Sequence, residues 1–122
     1  MSRKITRDAV SALYGDKDFR RDNTDVVHGI DPCYPNYGEP HLDPHLAYIS
    51  RMYLHGNEIA RVVVAFEFGK WNTKLYIRTA GWTTSTTKER LNGLPGVSIY
   101  QKDFQWYLNG RPWEDHHKWT AL

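Results

Sequence analysis

The sequence predicts an α+β domain, an antiparallel sheet of about five to six strands built from hairpins and carrying two short helices. Three observations lead there. Runs of aromatic and β-branched residues alternate with tight turn signals, helical spacing occurs in only two short stretches, and nearly every connection is short and local. Short local connections favour a meander of hairpins over parallel βαβ units. No internal repeat is visible.

The first element is a short helix over about 6–14. Ile5, Ala9, Ala12 and Leu13 share one face, and Gly15 offers a left-handed residue to close it. A charged stretch, Asp16 to Asn23, leads into a short strand at 24–28. Gly29 to Pro44 contains four of the chain's prolines and forms an irregular insertion loop, because each proline fixes its own φ and removes a ladder donor. Strands follow at 47–54 and 59–68, joined by His55-Gly56-Asn57, and then at 75–79 after a turn at Gly69-Lys70-Trp71-Asn72. A second helix spans about 87–94 and stops at Pro95-Gly96. Strands at 97–101 and 104–108 turn around Lys102-Asp103, and Asn109-Gly110 signals a type I′ turn into 111–113. The tail from Glu114 reads as polar apart from Trp119.

The 122 residues fit a single domain, residues 1–122, and a hydrophobic fraction of 40% supplies a core. Strand and helix phase assign Trp82, Leu91, Ile99 and Trp106 to it. The longest apolar run, Val62–Phe66, is far below the ~20 residues of a membrane helix, so no membrane partner is expected. One cysteine, Cys33, excludes an intramolecular disulfide framework, and no signal peptide is evident, which points to the cytosol. A formal charge of +2 tolerates a nucleic-acid partner without demanding one. Five Trp and eight Tyr carry more information, since these residues anchor interfaces or stack on bases.

The segment with most chemistry is Thr83-Thr84-Ser85-Thr86-Thr87-Lys88, with Arg90 and Asn92 beyond it. Thr86 and Glu89 have capping-box spacing, Leu91 and Leu94 point inward, and Lys88, Asn92 and Arg90 are expected on exposed flanks. Hydroxyls, free amides and two cations at a helix start could hold phosphate; the plainer reading is a helix cap. Arg78 and Lys102 are possible neighbours of that segment. A basic helix followed at once by a hairpin is the order of recognition helix and wing in winged-helix proteins, although strands occupy the place of that fold's earlier helices.

Metal and catalytic signals are weak. Cys33, His41 and His45 are zinc-type ligands, but their spacing fits no zinc motif and Pro40 and Pro44 oppose the helix that would align the two histidines. No nucleophile elbow, P-loop or metalloprotease motif is present, so a non-enzymatic protein without a cofactor is the favoured reading.

The carrying pieces of a family resemblance are Leu54-His55-Gly56-Asn57 with Ile59-Ala60-Arg61, then Gly81-Trp82 with Thr84, Thr86-Thr87-Lys88 and Arg90-Leu91-Asn92. Val97, Ile99, Gln101-Lys102 and Trp106-Tyr107-Leu108-Asn109-Gly110 complete the set. In these blocks the C-terminal two-thirds resembles a family of small proteins encoded by tailed bacteriophages. The Gly29–Pro44 loop and the Val62–Trp71 extension look longer than the family's usual form. The resemblance implies a context, a non-structural phage product acting in the host cytoplasm on a host protein or on nucleic acid. Three functions follow as expectations. The first is a binding protein that modulates a host macromolecule. The second is a DNA- or RNA-binding accessory protein using 83–92, and the third a nucleotide-binding protein or enzyme at the same place.

Overall fold

Apolar residues four apart give the first helix one buried stripe, and alternation gives the strands after it one buried face, so the two must meet. The computed structural model describes residues 3–31, 47–67 and 69–122. Along them run α1 (Lys4–Tyr14), β1 (Phe19–Arg21), β2 (Thr24–Asp31), β3 (Ala47–Leu54), β4 (Asn57–Glu67), β5 (Lys70–Ile77) and α2 (Ser85–Asn92). The chain continues with β6 (Ile99–Lys102), β7 (Gln105–Leu108), β8 (Arg111–Pro112) and β9 (Thr120–Ala121). The stripe of α1 is Ile5, Ala9 and Leu13, all buried.

The α+β class and the antiparallel hairpin order are as the sequence predicts, but the strands divide into two sheets. One has the order β1-β2-β3-β4-β5-β9 and the other β6-β7-β8. Helices α1 and α2 pack with the small sheet over one face of the large sheet. Ala9, Leu13, Val26, Met52, Ile77, Leu91, Ile99, Trp106 and Trp113 belong to one continuous buried cluster. Burying aliphatic and aromatic side chains at about 25 cal/mol per Å² of apolar surface is the main stabilising term here.

Two turns take the form their residues demand. His55-Gly56 and Asn109-Gly110 both have two successive positive φ values, 52° and 79° and then 51° and 84°, the type I′ geometry that matches strand twist.

Several expectations are corrected. Gly15 does not close α1 in the left-handed region; its φ is −95° and its amide donates to the Ala12 carbonyl. Lys70, Trp71 and Asn72 of the expected turn are instead the start of β5, paired residue by residue with β4. The charged stretch before Thr24 contains β1, and the polar tail contains β9, which pairs Tyr76 with Ala121. Trp82 is 45% exposed and lies outside the core, with its ring 5.9 Å from His55. Leu91, Ile99 and Trp106 are buried. Gly29, Ile30 and Asp31 of the expected loop belong to β2; the rest of that loop, with Cys33, His41 and His45, lies outside the described residues.

Candidate interaction surfaces

The helix start at 83–92 is a tied-off cap. The N-cap is Thr84, not Thr86: its Oγ1 accepts from the Thr87 amide at 3.2 Å, and Thr87 is fully buried. Glu89 therefore does not close a capping box. Its carboxylate accepts instead from the Thr6 hydroxyl of α1 and from Arg90 Nη1, the latter at 3.0 Å.

Arg90 is the largest correction. Only 2% exposed, it donates from Nε to Thr24 Oγ1 at 3.1 Å and from Nη1 to Thr6 Oγ1 at 2.9 Å. The guanidinium joins α2 to β2 and α1, and burial pulls its pKa below the usual guanidinium value while Glu89 pushes back. Asn92 is spent as well. Its side-chain amide donates to the Ile99 carbonyl at 2.9 Å and its carbonyl accepts the Ile99 amide at 2.6 Å, covering the start of edge strand β6. Lys88 lies against the hairpin, 5.5 Å from the Trp106 ring and 3.5 Å from Gln101 Oε1. Thr83, Ser85 and Thr86 stay near the surface. The two expected neighbours are apart: Arg78 donates to the Glu58 carbonyl on the large sheet, and Lys102 is exposed at the β6–β7 turn.

A larger feature is invisible to sequence reasoning. Helix α1 has 11 residues and reaches about 16 Å, whereas the 8 residues of β3 and 11 of β4 extend about 26 and 36 Å. The helix cannot cover the sheet it packs on. Strand register sets Val26, Met52, Ala60 and Ile77 in one row beneath α1, and Ile30, Tyr48, Val64 and Thr73 in a row beyond its end.

Among the described residues, that outer row is left open. Ile30 is 59% exposed, Tyr48 48% and Trp71 56%, with the Tyr48 and Trp71 rings 5.9 Å apart. Between the row and the end of α1 runs a groove of about 620 Å³, lined by Leu13, Tyr14, His28, Ile30, Tyr48 and Val64. Tyr14 at its wall is half-exposed, and partial burial raises its hydroxyl pKa. Phase marks Ile30 and Tyr48 as same-face residues and α1 ends at Tyr14 as expected, but neither says where along the strands the helix lies.

His28 in the groove wall makes a link rather than a base. Its Nε2 donates to the Ala12 carbonyl at 2.9 Å, a last-turn carbonyl of α1 that also accepts the Gly15 amide. Its Nδ1 is 3.0 Å from Asp18 Oδ1, and this hydrogen bond holds the Asp18 pKa below the ordinary carboxylate value. Although Ser50 stands opposite His28 across the strands, the nitrogen that would serve it is engaged.

A second aromatic group caps the other end of the molecule. Tyr100 and Tyr107 stack at 4.9 Å on the outer face of the small sheet, and Phe104 at the β6–β7 turn is 96% exposed. Among the described residues, no three histidines, cysteines or carboxylates gather as a metal site, and no helix is long and apolar enough to cross a membrane.

The class these observations define is a two-layer α+β domain with open surfaces among its described residues. Compared with known families, the chain is a member of the Kyanoviridae Gp96 protein family of phage-encoded proteins, whose profile matches residues 2–121. The match takes in the N-terminal third that the quoted blocks do not reach. No curated protein and no solved structure matches the chain.

Proposed function

We propose that this phage protein is a non-enzymatic binding protein that engages and modulates a host protein in the host cytoplasm, using the groove at the open end of α1. The observation that carries this reading is the uncovered row Ile30–Tyr48–Val64 with Trp71 beside it. Contiguous apolar surface of this kind is rare on a protein that meets only water, and aromatic residues next to a groove are the usual anchors of protein interfaces. The chemistry selects a protein over a phosphate ligand. Among the described residues most of the wall is aliphatic or aromatic, and the carboxylate in it, Asp16, would repel an anion.

The test compares wild-type protein with Ile30→Asp in pull-downs from host lysate, with and without nuclease. A single stoichiometric host protein, retained after nuclease and lost with Ile30→Asp, supports the reading. Recovery that is unchanged by Ile30→Asp, or abolished by nuclease, refutes it. Ile30 is exposed, so the substitution leaves the melting temperature nearly unchanged.

A further inference from the structure

The face of the large sheet opposite α1 gathers positive charge. Arg51 and Arg61 are direct cross-strand partners, an arrangement that repels unless something intervenes. What intervenes is Glu58, 8% exposed, and its position depends on a bulge. The β3–β4 register shifts between Met52 and Tyr53, so Tyr53 pairs with Glu58 while Met52 pairs with Ala60. Regular alternation would send Glu58 and Arg61, three residues apart, to opposite faces; the bulge returns them to one.

Arg61 takes both carboxylate oxygens of Glu58, at 2.8 and 3.0 Å, and Arg51 is left at 3.8 Å. Arg78 joins from the other side, donating from Nε to the Glu58 carbonyl at 2.8 Å. Trp119, brought over by β9, lies 4.6 Å from the Arg61 guanidinium and 4.2 Å from that of Arg78. Arg51 and Arg61 thus share one carboxylate while Arg78 holds the backbone carbonyl of the same residue, so the three guanidiniums outnumber the Glu58 charge by two. Among the described residues, Nη1 and Nη2 of Arg78 donate to no acceptor.

We propose that this arginine–tryptophan face binds single-stranded nucleic acid, with the forks of Arg51 and Arg78 on successive phosphates and bases stacked on the neighbouring rings. Guanidinium forks match phosphate oxygens in pairs, which a lysine patch does not do. Tyr53 flanks the arginines as the cross-strand partner of Glu58 and adds a second ring beside Trp119 for sequence-tolerant stacking. A strand surface of this kind admits an unpaired strand with its bases turned toward the protein. The site lies on the other side of the sheet from the protein-binding groove, so each reading stands or falls alone.

The experiment is fluorescence anisotropy of the full chain with a labelled mixed-sequence oligonucleotide of about 15 nucleotides, in single-stranded and duplex form. Two phosphate contacts on a single strand predict an affinity loss of about sevenfold between about 50 and 200 mM salt. Arg51→Gln removes one contact, so the same salt step should then cost only about threefold, a change of slope that a purely structural arginine would not produce. Circular dichroism melting confirms that the variant is folded. Salt-sensitive single-strand binding with the reduced slope supports the proposal. No binding, equal or tighter binding of duplex, or an unchanged slope in the variant overturns it.

Discussion

Arg90 Nε donates to Thr24 Oγ1 at 3.1 Å inside the protein, across 66 positions of sequence, and Thr6 closes the same knot from α1. An arginine that the local pattern places on a solvated helix flank is therefore the joint between α2, β2 and α1. Removing one member of a buried charged pair leaves the other uncompensated, so Arg90→Ala should cost about 3 kcal/mol or more in chemical denaturation. Lys88→Ala, two residues earlier and nearer the surface, should change stability by no more than about 0.5 kcal/mol. Equal effects of the two substitutions would refute the knot.

Gly93 sits directly behind this joint. A Cβ at this position would collide with the Thr6 methyl, and Thr6 is itself fully buried and held by Glu89 and Arg90. Because that methyl has nowhere to go, Gly93→Ala should destabilise by about 1–3 kcal/mol, although the helical φ of −76° at Gly93 would by itself favour alanine. A neutral or stabilising result in urea unfolding would show that the α1–α2 contact is looser than described.

The β6–β7 turn places Asp103 and Phe104 at φ values of 52° and 67°, a geometry made for an Asn-Gly pair, and Phe104 is 96% exposed. The left-handed conformation costs a non-glycine residue about 1–2 kcal/mol, and the exposed ring recovers none of it by packing. The double substitution Asp103→Asn with Phe104→Gly should raise stability by about 1 kcal/mol, read as a higher melting temperature. A lower melting temperature would mean that Phe104 packs in solution.

What is legible in the sequence follows from locality. Strand β3 can be read to both ends, and the His55-Gly56 and Asn109-Gly110 turns by composition, because each depends only on its own residues. Strand β5 begins five residues before its first strongly apolar buried position, Leu75, since exposed residues on that part of the strand erase the alternation. The burial of Arg90, the sixth strand formed by Thr120–Ala121 and the division into two sheets all depend on partners tens of residues away, which no local window contains. The candidate site follows the same division. Hydroxyl residues at 83–87 announce a helix start, though two residues later than the Thr84 cap that forms, and the open groove arises from the mismatch in length between α1 and the strands beneath it, a property of packing rather than of any motif.

The C-terminal tail supplies a pH dependence. His116 lies 5.3 Å from the Trp106 ring and 5.9 Å from that of Trp113, with its Nδ1 2.7 Å from Thr79 Oγ1, so the tail is latched against both sheets. Burial, with His117 adding repulsion and Asp115 opposing, holds the imidazole pKa below its ordinary 6.5. The folded state thus takes up a proton less readily than the unfolded chain. Stability from this latch is complete above the unfolded pKa and is lost as pH falls through the lower, folded value. The carboxylates with lowered pKa values, Asp8 and Asp18, act in a separate window below 3.8. Urea midpoints measured at about pH 7 and pH 5 should therefore show the protein weaker at the lower pH. His116→Gln should be less stable than wild type at neutral pH yet lose less on acidification. If the variant declined as steeply as wild type over that interval, the latch would have to be assigned to another group.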